Sequence, residues 1–353
     1  MTVEKYHVFV VHSHTTFYMA ISVIDYLKLP YDNCVFISDR KYKNRYFDNI
    51  VFNDLQNIFV KFSPLKLSKI VFLRKSIKIT DKKVNDLVNN SQYIAYIPQL
   101  SHPFFQILVS NKNCIAYNYI EEGIANYRKE LYTFSFFQLS STKKIIINVF
   151  NRFLKRIVFN HSFFGHYKYS TSLQASPKYF YLKNNCHFYK ENVVLLDWIK
   201  HDVDIELLNN CAIFISSVLV EYNLIDEGTY LLMIEKLIEK IVDSNLSNLY
   251  IKFHPFQSTE IKNKIHEICD KHNLNSILIP DNESVEQIVM NINYLKIYGF
   301  ESSLLLYSKI LNKTTDVYSL NNFIDAFNVK DKSQVIENSS SKELYSNCGI
   351  IKL

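Results

Sequence analysis

Residues 211–255 read CAIFISSVLVEYNLIDEGTYLLMIEKLIEKIVDSNLSNLYIKFHP. Ala212–Leu219 is a short apolar run rich in β-branched residues, and Asn248–Phe253 is another. Between them, Gly228–Asp243 repeats its Leu, Met and Ile at helical spacing. Strand, helix, strand in that order predicts a βαβ unit with parallel strands. The rhythm continues C-terminally with a helix over Glu260–His272, a strand Ser276–Ile279, a helix Ser284–Asn291, a strand Tyr294–Tyr298 and a helix Ser302–Leu311. It also holds upstream. Val8–Val11, Val35–Ser38, Ile58–Phe62, Tyr93–Ile97 and Ile115–Ile120 read as strands, with helices such as Tyr18–Leu27 and Phe104–Val109 between them. The fold class is therefore α/β, with two doubly wound Rossmann-like domains. The stretch Lys183–Asn210 has no clear period and is expected to contain the linker. The expected domains are 1–190 and 191–353, which suits a 353-residue chain at roughly 100–200 residues per domain. Open sheets of this kind bind ligands beyond the carboxyl ends of their strands, so the strand exits are where chemistry is expected.

Composition excludes several classes. Hydrophobic residues are 48% and charged residues 21%, which suits packed cores and not a disordered chain. A net charge of +6, spread along the chain, does not point to nucleic acid, but suits an anionic substrate or an anionic membrane surface. The six cysteines form no CxxC pair and read as reduced and mostly buried. The N-terminus, MTVEKYHVFVVHSHTT, enters a strand directly and lacks a signal-peptide core. No run of about 18 apolar residues predicts a membrane span. A cytoplasmic location is expected. With only 5 glycines, each is expected at a positive φ or a close backbone approach.

Four strand exits or helix starts carry candidate chemistry. Glu121-Glu122-Gly123 follows the strand CIAYNYI. Adjacent carboxylates there suit a general base, and equally a solvated acidic turn. His254-Pro255 follows NLYIKF, where the imidazole could donate to a phosphate or simply sit at a surface turn. Gly299 precedes Ser302-Ser303, which opens a helix; hydroxyls and free N–H groups there make a phosphate cradle, or a plain N-cap. Glu286, in Ser284-Val285-Glu286, could accept from ribose hydroxyls or complement the helix dipole. His12, Ser13 and His14 follow the first strand and face the same side by topology. His102-Pro103 reads as structural, and Asp202-Val203-Asp204 as a solvated helix start and not a metal site.

Taken in order, these motifs resemble the bacterial sialyltransferases of the GT-B fold. An acidic-acidic-Gly motif, a downstream His-Pro and a later Ser-Ser pair match Glu121-Glu122-Gly123, His254-Pro255 and Ser302-Ser303. The flanking text is most similar to glycosyltransferase family 52, the lipooligosaccharide sialyltransferases; the capsule polysialyltransferases share the same motifs. The resemblance covers Ala212–Leu311 well and the N-terminal half through the acidic motif. It implies two domains facing across a cleft, the first on the acceptor side and the second binding a CMP-sugar. Glu121 would be the base, with Glu122 the less favoured alternative. His254 would serve the leaving CMP phosphate as acid or electrostatic stabiliser, Ser302 and Ser303 would bind that phosphate, and Glu286 would hold the ribose. Glu-Glu, where many members carry an Asp, leaves open which one acts.

The implied reaction is inverting and metal-independent transfer from CMP-sialic acid to a galactose-type terminus of a lipooligosaccharide or capsular glycan, with no cofactor. The alternatives are another CMP-linked nonulosonic acid or Kdo as donor, and an idle subunit that binds nucleotide or glycan. Residues 143–156, basic and aromatic, could rest on the inner face of the cytoplasmic membrane or pack as an ordinary helix. A homodimer is a further expectation.

Overall fold

A computed structural model describes residues 5–38, 50–51, 67–127, 142, 145, 149, 177–183, 192–205, 208–300, 302–326 and 344–353. The chain divides into two compact units, Met1–Ile199 and Lys200–Leu353.

The first unit contains β1 (Tyr6–Val10), α1 (His14–Leu27), β2 (Cys34–Ser38), β3 (Ile50–Val51), α2 (Leu67–Leu87), β4 (Tyr93–Ile97), α3 (Pro103–Val109), β5 (Cys114–Ile120), β6 (Tyr179–Leu182) and β7 (Val193–Leu196). Its strands are all parallel and run β3-β2-β1-β4-β5-β6-β7 across the sheet. The order reverses between β1 and β4, the position at which doubly wound sheets open a crevice. Val8, Val10, Ala95 and Ile97 of the central strands pack with Phe104, Phe105 and Leu108 of α3 in one buried cluster. Burying side chains of this size stabilises by roughly 1.5–3 kcal/mol each.

The second unit contains β8 (Cys211–Ile215), α4 (Glu227–Asp243), β9 (Asn248–Lys252), α5 (Thr259–Lys271), β10 (Asn275–Leu278), α6 (Val285–Asn291), β11 (Lys296–Gly299), α7 (Ser303–Leu311), β12 (Asp316–Ser319), α8 (Asn321–Ala326) and β13 (Ile351–Lys352). The order β10-β9-β8-β11-β12-β13 is again parallel throughout, with the switch between β8 and β11. The face of α4 seen in the sequence is the one it buries: Tyr230, Met233, Ile234, Leu237, Ile238 and Ile241. Its start is fixed by Asp226, whose carboxylate accepts from Thr229 N–H at 2.9 Å.

The boundary between the units falls inside Lys183–Asn210, the stretch expected to contain the linker, and part of that stretch is regular. Val193–Leu196 is a strand that pairs with Tyr179–Leu182 and forms an edge of the first sheet, so the chain leaves the first unit only after Ile199. A four-residue strand is too brief to show a period. The expected strand Ile58–Phe62 lies outside the described residues. So does segment 143–156, apart from Ile145 and Val149, which are exposed. No helix among the described residues is long and apolar enough to cross a membrane.

Candidate functional site

In the first unit, the two glutamates at the β5 exit have different partners. Glu121 is fully buried. One of its carboxylate oxygens accepts from the Tyr127 hydroxyl, and the other from Leu182 N–H at 2.5 Å. Its own N–H donates to Phe180 O at 3.1 Å. Glu121 thus ties the end of β5 to β6 and to the turn at Tyr127. Glu122 remains partly open, with 24% of its side chain exposed. Its Oε1 lies 3.0 Å from Nε2 of His12, whose side chain is 1% exposed. The turn beneath is shaped by Asn126, whose Oδ1 accepts from the N–H groups of Glu122 (2.8 Å) and Gly123 (3.0 Å). His12 arrives from the β1 exit. There Ser13 caps α1 through a reciprocal bond pair with Thr16, and the His12 N–H donates to Thr16 Oγ1 at 3.0 Å. Ring contacts link His12 to Phe105 and Phe105 to His102, at centroid distances of 6.4 and 5.0 Å. The exits of β1, β4 and β5 therefore meet at this unit's switch point, and the sequence does not show that His12 and Glu122 would meet there.

In the second unit, His254 follows β9 and is half-buried. Phe256 N–H donates to its Nδ1 at 3.2 Å, which leaves the proton of the neutral ring on Nε2. Pro255 and Phe256 beside it are exposed. The strand's last residue, Lys252, is one the sequence reading passed over. Its Nζ donates to Pro280 O at 2.6 Å and Glu283 O at 2.8 Å, clamping the turn that precedes α6. Burial pushes the lysine down to about 8, against the opposing pull of Asp281, Glu286 and Glu283. Glu286, in the first turn of α6, is buried and accepts from Ser284 Oγ at 2.7 Å. Lys252 therefore links the His254 turn to the start of the helix that carries Glu286.

The third group sits across the switch point, at the β11 exit. Gly299 serves packing: a Cβ there would meet Ile215 O at 3.0 Å and Ile215 Cβ at 3.2 Å, so a larger residue would press β11 away from β8 by a small shift. Ser302 caps α7 by accepting from Leu304 N–H at 3.2 Å. Its backbone is pinned by Tyr345, whose hydroxyl accepts from Ser302 N–H and donates to Ser302 O, both at 2.8 Å. Ser303 is half-buried, at the first helical position. Between the β9 and β11 exits lies that of β8, where Ser216 N–H donates to Lys252 O at 3.0 Å and Ser216 Oγ meets Tyr230 OH at 2.9 Å. The sequence points to His254, Glu286, Ser302 and Ser303 as one group. The sheet order places their strand exits at one edge, with Lys252 and Tyr345 as supports that no local spacing reveals.

Two doubly wound units, with histidine, serine and carboxylate side chains at their strand exits, make up a protein of the two-Rossmann-domain class. The chain belongs to the alpha-2,8-polysialyltransferase (POLYST) family, whose model matches residues 8–321. The sequence reading names this group as a relative of family 52, and the match is to it and not to family 52. No curated protein matches the chain. Among solved structures, MnaA of S. aureus with UDP is similar at 10% identity and TM-score 0.45, covering 90% of this chain and 79% of that one. A UDP-N-acetylglucosamine 2-epimerase described as putative, from Listeria monocytogenes, is similar at 9% identity and TM-score 0.42, covering 98% and 91%. At these scores the fold reading rests on the strand order itself.

Proposed function

We propose that the protein is an inverting, metal-independent sialyltransferase that moves sialic acid from CMP-sialic acid to a hydroxyl of a bacterial surface glycan. The family match over residues 8–321 carries this reading. The name of that family favours a sialic acid terminus, joined through its 8-hydroxyl, over the galactose-type terminus expected from the sequence. The reaction needs a base for the acceptor hydroxyl and relief of charge on the departing phosphate. Glu122 is assigned the base, because a base must touch the proton it takes and Glu121 is enclosed by its own partners. The acceptor oxygen attacks the anomeric carbon from the face opposite CMP. The bond to the phosphate oxygen breaks, and the acceptor proton passes to Glu122. His254, with its proton on Nε2, donates to the phosphate oxygen that leaves. Ser303, and the N–H groups that open α7, hold the same phosphate. Glu286 holds the ribose once nucleotide binding opens its turn. Work at the inner face of the cytoplasmic membrane, and a homodimer, belong to this proposal and are supported by sequence alone.

The test is release of CMP from CMP-sialic acid by the full chain in EDTA, with a sialylated acceptor, a galactose-terminated acceptor, or none. Release that survives EDTA, rises with the sialylated acceptor and disappears in His254→Ala is the expected result. Release with the galactose acceptor alone would reject the 8-hydroxyl assignment and keep sialyl transfer. Binding of CMP with no release would favour a different CMP-linked sugar or an idle subunit.

A further inference from the structure

We propose that Phe256 is a donor-contacting residue that selects the sugar: its ring packs against the apolar face of the sialic acid joined to CMP. The inference rests on the reading of His254 as the group that serves the phosphate between CMP and that sugar.

Three observations carry it. First, the exposure. Phe256 is 69% exposed, although it adjoins the buried Gln257 and follows the buried Phe253 by three residues. Phe253 belongs to the core cluster of the second unit, and Phe256 does not. Second, the mounting. Phe256 N–H donates to His254 Nδ1 at 3.2 Å, and Gln257 N–H donates to His254 O at 2.9 Å. Pro255 fixes φ between them. The rings of Phe256 and His254 stand 5.6 Å apart at 39°. The phenyl ring is thus carried beside the imidazole on a turn that has little freedom to lose when a ligand binds.

Third, the side on which it lies. In the sheet, β9 runs between β10 and β8. Two residues before His254, Lys252 reaches to the β10 exit, where Pro280 and Glu283 form the turn that leads into α6 and Glu286. Two residues after Phe256, Ser258 N–H donates to Glu221 Oε1 at 2.8 Å, in the loop that follows β8. The ribose, assigned to Glu286, therefore belongs to the β10 side of His254, and Phe256 leads to the β8 side. The phosphate of a CMP-sugar joins two groups, the ribose and the sugar. With the ribose on one side of His254, the sugar falls to the other.

The chemistry suits that occupant. A pyranose directs C–H bonds from its faces, and an acetamido group ends in a methyl. Both bury against an aromatic ring while the hydroxyls stay at the rim, as in other ligand sites that pair apolar walls with a few polar groups. A phenyl ring has no hydrogen-bonding group, so it does not compete with His254 or Ser303 for the phosphate. Its contribution is to the sugar and not to the nucleotide.

The test measures equilibrium binding of CMP and of CMP-sialic acid to the full chain, by calorimetry without acceptor, with thermal melting as the control for folding. It compares the wild type with Phe256→Ala, Phe256→Tyr and Tyr294→Ala. The backbone bonds to His254 survive in both Phe256 variants. Phe256→Ala should weaken CMP-sialic acid by about fivefold to tenfold and CMP by less than about twofold. Phe256→Tyr keeps the ring and should bind both ligands as the wild type does. So should Tyr294→Ala, which removes an aromatic that is 83% exposed but precedes β11 and so lies at the other end of the strands. Equal weakening of both ligands in Phe256→Ala would put the ring on the nucleoside and overturn the proposal, and unchanged affinity for both would overturn it as well. A wild type that binds CMP but not CMP-sialic acid would instead reject the donor reading itself, and the proposal with it.

Discussion

Glu121 and Glu122 are neighbours in sequence, yet one is enclosed and the other open. The carboxylate of Glu121 is taken up by a backbone N–H and a tyrosine hydroxyl. In Glu121→Ala both oxygens are removed, and the Leu182 N–H and the Tyr127 hydroxyl lose this buried acceptor. Leaving such a buried pair unmatched costs about 1–3 kcal/mol, which urea unfolding should read. Transfer by the fraction that stays folded should persist. Glu122→Gln should do the reverse: unfolding unchanged, with transfer down by about 10²–10⁴-fold. If the two phenotypes exchange places, the base returns to Glu121. At this scale the sequence shows the residue types of the site but not their partners. His254, Ser302 and Ser303 are legible because each follows a strand or opens a helix within a few residues. The His12–Glu122 contact joins positions 110 residues apart (122 − 12) and depends on β4 alone lying between β1 and β5.

Elements were legible where burial imposes one period on a long segment. Helix α4 was, because a single apolar stripe faces the sheet. Helix α2 (Leu67–Leu87) was not: the face it buries, Ser76, Ile77, Thr80 and Val84, is half polar, while Ile79 is exposed, so its apolar residues alone do not trace the stripe. Turns misled for another reason. Among the described residues Gly349 is the glycine at positive φ, while Asn89, Asn90, Asn192, Asn210, Asn223, Asn245 and Asn273 take left-handed positions that glycine fills elsewhere. A scarcity of glycine therefore does not mean a scarcity of tight turns. Lys252 shows how one element holds another. Its ammonium ties the end of β9 to the turn before α6, and burial lowers its pKa from 10.5 to about 8. Between those two values the unfolded chain keeps the proton that the folded chain has released. By linkage, this group makes stability rise with pH over that window, and below about 8 the cost of charging it is fully present. Lys252→Met lacks the titration. Urea unfolding at pH 7.5 and pH 10 should find the wild type gaining on this variant by about 1–3 kcal/mol. Parallel curves would mean that Lys252 titrates as an ordinary surface lysine.

At the scale of the whole molecule, each unit has a complete sheet and a core of its own. The cluster of Phe214, Leu249, Ile251 and Tyr298 with α4 lies wholly within the second unit, and that of Val10, Ile97 and Phe105 wholly within the first. The proposed chemistry divides in the same way. The groups assigned to CMP, namely His254, Glu286 and Ser303 with their supports Lys252 and Tyr345, follow Ile199, and the proposed base precedes it. A doubly wound unit of this size with its own core is a folding unit in its own right. Residues 200–353 expressed alone should therefore unfold cooperatively and bind CMP within about tenfold of the full chain, since one order of magnitude is only about 1.4 kcal/mol of contact. They should transfer nothing, because they lack Glu122. The fragment must run to the C-terminus. Tyr345 fixes both backbone groups of Ser302, and β13 pairs with β12, so ending the chain at residue 343 should weaken CMP binding more than it lowers helix content. Equilibrium titration with CMP on the two fragments tests this. A 200–353 fragment that folds but does not bind CMP would move part of donor recognition to the first unit. A 200–343 fragment that binds as well as the longer one would remove Tyr345 from the support of the phosphate cradle.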